Sequence, residues 1–410
     1  MRRRIATGVA AVLLGLVALG FAAMGDHAQR RFSALVAQWP YAPLLLTPLV
    51  FAAVAWATRR WAIEASGSGI PQVIAASRAP EREATGPLVS LRTALVKLVM
   101  TVAVLGAGGS VGREGPTVQV SAAIMAAFHR LLRVPVTAGV MIAGGAAGVA
   151  AAFNTPLAGV AFAIEELAAA YEQRVAVMVM AAVMISGLVS LGIAGDYIYF
   201  GAMRQTLDVG STLLITPIAG IVGGLGGGLF ARTMLRWQAA EHPRIARIKA
   251  RPVLLAGGCG LVVAAVGVLT GSTWGTGYEA TRSLVEGQGD ALWFGPAKFL
   301  ATLATSMSGT PGGIFAPSLA VGAGVGNLLT PLFPHDPAGA VVVLAMCAYF
   351  VGVVRAPLTA VIIISETTAS RGLILPLFAA ALIADRVSAL VCRERLYHGL
   401  ARPFMNRGGG

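Results

Sequence analysis

Two acids in this chain stand where acids are costly. Glu114 lies within Gly112-Arg113-Glu114-Gly115-Pro116, between one apolar run and the next, and Glu166 follows Glu165 near the end of an apolar run that begins at Pro156. A carboxylate inside such a segment persists when it is paired or functional. For Glu114 the pairing alternative is an ion pair with Arg113. The functional alternative starts from Pro116, which suits the first turn of a helix. A helix start leaves backbone N–H groups unpaired and carries about half a positive charge, so it attracts an anion without a full cation. A carboxylate at that place competes with a bound anion for the same donors. Once protonated it stops competing, which links proton occupancy to anion occupancy.

Two further segments have the same design. Gly312-Gly313-Ile314-Phe315-Ala316-Pro317 repeats the layout of the Glu114 segment without its acid, and Gly67-Ser68-Gly69-Ile70-Pro71 adds a hydroxyl donor at Ser68. Glycines let the backbone approach a bound ion closely. Helix starts aimed at one point would hold an anion by partial charges, from which it can still leave. Each motif taken alone is equally a plain helix break.

The segments are related by an internal repeat. A single ungapped shift of 201 residues pairs Lys97 with Lys298, Gly112 with Gly313, Pro116 with Pro317, Pro156 with Pro357 and Glu165 with Glu366. A looser echo, at a shift of 208, sets Gly67-Ser68-Gly69 against Gly275-Thr276-Gly277. Weak internal symmetry of this kind is a feature of transporter folds, with the substrate site where the halves meet. The matched pairs, Glu165 with Glu366 and Lys97 with Lys298, read as architectural. Glu166 has no matching acid, because Thr367 occupies its counterpart position. An unmatched buried acid is the better candidate for a proton path, with a solvated helix end as the alternative. Arg59 and Arg60 precede the first Gly-rich turn and no charge precedes the second between Pro252 and Trp274, which favours opposite orientations for the two halves.

The elements that must position these residues are membrane helices. Of 410 residues 56% are hydrophobic and 12% charged, against roughly 25% charged in soluble domains. Fourteen apolar stretches run from 5–24 to 372–391, and several are shorter than the roughly 17 to 25 residues of a full span. Short spans broken by Gly and Pro imply half-helices whose exposed ends are tolerated only in protein or a wet cavity. The first stretch has the basic start and small-residue end of a signal peptide, yet thirteen more follow it, so it is read as a retained helix.

The formal charge of +13 comes mainly from Lys and Arg between apolar stretches, a positive-inside pattern rather than a nucleic-acid surface. By that rule Arg2, Arg3 and Arg4, the loop with Arg244, Arg247, Lys249 and Arg251, and the end with Arg393, Arg395, Arg402 and Arg407 all face the cytoplasm. Cys259, Cys347 and Cys392 are single and far apart, which fits neither disulfides nor a metal site. The five histidines form no His-Glu-x-x-His pair, and neither a nucleophile elbow nor a Walker A loop is present, so enzymatic chemistry and direct ATP drive are not expected.

Together the Gly67–Pro71 motif, Gly112–Pro116 followed by Thr117-Val118-Gln119, and Gly313–Pro317 resemble the CLC family of chloride channels and chloride/proton antiporters, over about Trp56 to Tyr397. The resemblance implies an all-α integral membrane fold of two inverted repeats with many tilted and broken helices, assembled as a homodimer in which each subunit has its own anion pathway. It implies that chloride is held by the Ser68 hydroxyl, with Gly69 in the same turn, by the backbone N–H groups of Ile314 and Phe315, and by the hydroxyl of Tyr397. Gly67, Gly112, Arg113, Gly115 and Gly313 supply the helix starts along the anion path. Glu114 becomes the external gate and Glu166 the internal proton-transfer acid found in family antiporters and replaced in family channels. Tyr397, beside a basic run, reads equally as an interfacial anchor. Ser68 matches the chloride-type members, since nitrate-preferring relatives carry proline there and fluoride exporters depart from the serine motif.

The chain departs from the pattern in having little room for a leading cytoplasmic helix and no regulatory nucleotide-binding domains at its end. Gln72 and Ile74 stand where bacterial antiporter relatives can carry acids, which leaves Lys97 without that partner and puts coupling efficiency in question. The expectation is therefore chloride/proton antiport, with a passive voltage- or pH-gated chloride channel as the alternative. It includes a first repeat over 1–205, a second over 206–400, a short cytoplasmic tail over 401–410 and no separate soluble domain. It also includes a multi-pass place in the cell membrane with both termini cytoplasmic, chloride and protons as partners, and no cofactor, metal or nucleic acid.

Overall fold

In the computed structural model the described residues are 1–83, 86–167, 173–195, 198–203, 205–240 and 242–406. The regular elements among them are helices, and the only β-type pairing is one isolated bridge. The first half contains α1 (Arg2–Gln38), α2 (Pro43–Trp61), α3 (Ile70–Arg78), α4 (Leu91–Leu105), α5 (Glu114–Leu131), α6 (Ala138–Phe153), α7 (Pro156–Phe162) and α8 (Gln173–Ala194). The second contains α9 (Val209–Ala239), α10 (Pro252–Thr270), α11 (Tyr278–Val285), α12 (Phe294–Met307), α13 (Phe315–Leu329), α14 (Ala338–Val354), α15 (Pro357–Thr368) and α16 (Ile374–Val391). A last helix, α17 (Leu396–Asn406), follows.

The shift of 201 residues carries the first residue of α5, α7 and α8 onto the first residue of α13, α15 and α16. Local chemistry repeats with it. Asn154 ends α6 at φ 57° and its counterpart Arg355 ends α14 at φ 61°, each followed two residues later by a proline that opens the next helix. Asparagine tolerates the left-handed region. Arg355 is held there by Asp385 at 3.1 Å and by the carbonyl of Arg393.

Two sets of reciprocal bonds join the halves. Gly112 N–H donates to Gly313 O at 2.7 Å and Gly313 N–H to Gly112 O at 2.8 Å, an antiparallel bridge between a residue and its own counterpart. Glu165 accepts from Leu358 N at 3.1 Å and Thr359 N at 2.7 Å, at the start of α15. Glu366 accepts from Leu157 N at 3.4 Å and Ala158 N at 2.9 Å, at the start of α7. Each acid satisfies orphan donors of the other half's helix, so this pair is architectural. Counterparts that bond each other with opposed chain directions lie about a two-fold axis, the signature of an inverted repeat.

Among the described residues six helices are long and apolar enough to cross a membrane, and three shorter apolar ones lie among them. Leu188, Leu269, Leu375 and Leu390 are exposed on the outer surface, a placement suited to hydrocarbon. α1 is longer than the expected stretch 5–24, and it buries Ala6, Ala10, Leu14 and Phe21 against the bundle. The stretch 156–170 is not one helix. α7 stops at Phe162 and continues as a π-helical turn over Ala163–Leu167, and 168–170 lie outside the described residues. The tail expected from residue 401 begins inside α17, with Ala401 buried. Arg407 lies outside the described residues.

Candidate functional site

The Gly112–Gly313 bridge brings the starts of α5 and α13 together, and the residues before them, Arg113 and Ile314, share nearly the same backbone angles. The third turn joins through Gly67, whose carbonyl accepts from Gly312 N–H at 3.1 Å and from Lys97 Nζ at 2.8 Å. All three Gly-rich motifs thus meet in one place. Lys298 repeats the role of Lys97 in the second half, donating to the carbonyls of Thr273 and Gly275 at 2.9 and 2.7 Å. Both lysines are fully buried, and they hold the two turns that the weaker sequence echo had related. Gln72 instead donates to the carbonyls of Glu64 and Ser66, and among the described residues no carboxylate acts on Lys97.

Glycine is required at two of these positions. Gly69 has φ 105°, and a Cβ there would lie 2.7 Å from Gly115 O. At Gly115 a Cβ would lie 2.5 Å from Ser68 Oγ and 2.8 Å from Ser68 O. The backbones bearing Ser68 and Glu114 are therefore in direct contact, as close as only glycine permits.

Glu114 is fully buried, and its carboxylate sits between the two helix starts. Oε2 reaches across to the N–H of Ala316 at 3.4 Å, over Gly112, while Oε1 has no hydrogen-bond partner. The ion pair with Arg113 does not form. Arg113 turns away, to Asp26 at 2.8 Å, the carbonyl of Ala22 at 2.7 Å and the Tyr199 hydroxyl at 3.4 Å. Its backbone stays at the start of α5 while its side chain ties that start to α1.

Beside Glu114, two buried hydroxyls are poised without partners. Neither Ser68 Oγ nor the Tyr397 hydroxyl makes a hydrogen bond, although the two are close enough to influence one another. Tyr397 is fully buried in α17, within electrostatic reach of both Glu114 and Glu166. Its ring lies 5.9 Å from that of Phe315, which also packs on Phe153, Phe162 and Phe350 and so anchors the start of α13. Buried hydroxyls without partners are costly unless a ligand or water completes them. A cavity of about 500 Å³ leads to Ser68 and Ile314, with Arg59 and Lys249 among its lining and Leu396 and Phe404 of α17 along one side. The cationic loop, the end of α2 and the last helix thus border one opening.

Glu166 is 1% exposed and sits in the π turn, where its counterpart Thr367 lies in a regular helix and bonds its own backbone. Neither carboxylate oxygen makes a hydrogen bond, and Nδ1 of His398 lies 3.4 Å from Oε1, off the hydrogen-bond line. Arg395, at the head of α17, donates to the carbonyl of Glu165 at 3.4 Å and fastens that helix to the turn. His398 is not evident from sequence: it stands 232 residues from Glu166, beside a tyrosine that draws the eye. Among the described residues no group of His, Cys, Asp and Glu forms a metal-binding cluster.

A family model described as "Voltage gated chloride channel" matches residues 49–389. The chain is 31% identical to the H(+)/Cl(-) exchange transporter ClcA of Yersinia pseudotuberculosis serotype IB (strain PB1/+), over 97% of this chain and 86% of that protein. The same transporter of Yersinia pestis is 32% identical over the same shares. Among solved structures, a slow cyanobacterial Cl-/H+ antiporter superposes with a TM-score of 0.85 at 26% identity, over 100% of this chain and 99% of that one. A CLC-type fluoride/proton antiporter superposes with a TM-score of 0.78 at 22% identity, over 95% and 96%, a likeness of fold. The chain belongs to the voltage-gated chloride channel family.

Proposed function

We propose that this member of the voltage-gated chloride channel family exchanges chloride for protons across the cell membrane. The observation that carries the reading is the position of Glu114, whose carboxylate lies between the starts of α5 and α13 and accepts from Ala316 N–H beside the open hydroxyls of Ser68 and Tyr397. A carboxylate and a chloride ion cannot both use those donors. Ionised, Glu114 takes the anion's place. Protonated, it loses its claim on the helix-start charge and yields to chloride, so each proton taken up is linked to an anion bound. Ser68, the backbone of Gly69, the N–H groups of Ile314 and Phe315, and Tyr397 hold chloride; Gly67, Gly112, Gly115 and Gly313 let the three turns close around it.

Glu166 is the inner proton acceptor in this reading. It is buried, it lacks a hydrogen bond, and the second half has no acid in its place. The relatives named as H(+)/Cl(-) exchange transporters and the cyanobacterial antiporter support exchange over a passive pore. The termini and the Arg244–Arg251 loop face the cytoplasm by the positive-inside rule, which makes the cavity beside Lys249 the inner mouth. The halves divide near residue 205, between α8 and α9, and the protein works as a homodimer that meets lipid with the rest of its surface.

The test is chloride efflux from proteoliposomes with external pH recorded and the voltage set by an ionophore. Proton movement against its own gradient, driven by chloride and lost in Glu166→Gln, is the expected result. Chloride efflux without proton movement in the native protein would make it a channel.

A further inference from the structure

We propose that His398 is the proton relay between the cytoplasmic solution and Glu166, an inference that rests on Glu166 as inner proton acceptor. Glu166 is nearly sealed, at 1% exposure, with both oxygens outside any hydrogen bond. A proton acceptor so enclosed needs a group that touches both it and water. The His398 side chain is 30% exposed, yet its Nδ1 is buried and lies 3.4 Å from Glu166 Oε1. The exposure therefore belongs to the rest of the side chain, and in this proposal the imidazole spans the boundary with its inner nitrogen toward the acid. A small rotation of the ring closes the remaining distance, as is common for proton-transfer pairs in resting structures.

The surroundings suit transfer. Among the described residues Glu166 is the one carboxylate within 4 Å of the imidazole. Its other charged neighbours along the chain are Glu394, paired with Arg402, and Arg395, which is bound to the Glu165 carbonyl. The elements packed on α17 contribute Arg78 from α3, Arg232 and Arg236 from α9, and Arg355 at the end of α14, which is paired with Asp385. These are mostly cations, which leaves Glu166 as the acceptor a proton would move toward. Histidine is the side chain whose ordinary pKa lets it gain and lose a proton between pH 5 and 8.

The geometry also separates the two routes. Leu396, Leu400, Pro403 and Phe404 are the residues of α17 that line the anion cavity, and His398 is not among them. The proton enters on another side of the helix, and one helix presents Tyr397 to the anion and His398 to the acid.

The step balances without a further reactant. A proton from solvent bonds to Nε2, the Nδ1–H bond breaks as that proton passes to Glu166 Oε1, and the ring is left neutral. The tautomer is reset when the ring turns outward, where solvent takes the Nε2 proton and returns one to Nδ1, and the reverse sequence carries protons outward.

The experiment is chloride-driven proton uptake in proteoliposomes by the native protein, Glu166→Gln, His398→Ala and His398→Asn, each with and without imidazole in the cytoplasmic-side solution. Uptake in His398→Ala is expected to fall by roughly 100-fold, at the lower end of what a positioned proton-transfer side chain contributes. Imidazole is expected to restore it. Should the alanine variant fail to assemble, His398→Asn keeps a polar side chain of similar reach and is expected to show the same loss. Native rates in either variant, or a loss that imidazole does not repair, would overturn the relay. Proton uptake that survives Glu166→Gln would instead overturn the assignment of Glu166 itself.

Discussion

In the first half of the chain α5 opens with Glu114; in the second α13 opens with Phe315, at the matching position of a matching loop. The contrast recurs at Glu166 and Thr367. The acid sits in a π turn with its oxygens open, while the threonine sits in a regular helix and bonds back to Ile363. Where the halves agree, as at Lys97 and Lys298 or Glu165 and Glu366, the side chains are spent on backbone carbonyls and helix starts. Symmetry builds the frame, and the two buried acids proposed to carry protons stand where symmetry is broken. The π turn, one residue wider per turn than an α-helix, is a common device for re-aiming a side chain at a functional site.

Substitutions made in pairs sharpen that comparison. Glu114→Gln is expected to have the largest effect: proton counter-flow disappears while chloride still moves, measured in the proteoliposome assay. Phe315→Leu, at the counterpart position, is expected to keep proton coupling and to alter chloride turnover only. If Phe315→Leu uncoupled the ions and Glu114→Gln did not, the assignment of chemistry to the broken symmetry would fail.

Gly115→Ala comes next. Its Cβ would press on the backbone and hydroxyl of Ser68, a strain of about 1–3 kcal/mol, and chloride affinity by calorimetry is expected to fall about 10-fold or more. Gly313→Ala meets its nearest atoms at 3.0 and 3.1 Å and is expected to cost less. Lys97→Met removes the bond that steadies the Ser68 turn and is expected to weaken chloride binding by roughly 10-fold, in line with about 1.5 kcal/mol for a charged hydrogen bond. Lys298→Met is expected to lower thermal stability with little change in chloride affinity, because the turn it holds does not line the cavity that leads to Ser68. Equal effects of the two lysines on chloride binding would show that the second turn also contributes.

The smallest effects are expected at the reciprocal caps. Glu165→Gln and Glu366→Gln each weaken a helix cap, at about 1 kcal/mol, read as a lower unfolding temperature in detergent. Glu165 is expected to cost more, because it also accepts from the Thr359 hydroxyl at 2.8 Å. Neither variant is expected to change the ratio of protons to chloride.

Several of these features could be read in the chain itself. The repeat follows from where lysines, prolines and acids recur, since rare residue types keep their register in an Ala- and Gly-rich background. The helix starts follow from Gly-rich turns ending in proline, because a proline early in a helix and a glycine before it leave the backbone few other choices. That Glu114 is costly, and that Glu166 has no counterpart, follows from apolarity and a shift of 201 residues. What each polar group would bond was beyond its reach. Adjacency suggested Arg113 for Glu114, but the start of α5 points its carboxylate to α13 and its guanidinium to Asp26 on α1. The π turn was hidden, because an apolar run reads alike whether its turns are regular or widened. So was His398, which meets Glu166 only because α17 returns across the bundle and Arg395 ties it down. Residue types and periodicity are local quantities, legible along the chain. A partner for a buried charge is chosen by which segments the fold brings within about 3 Å, and that distance exists only once the two halves have closed on each other.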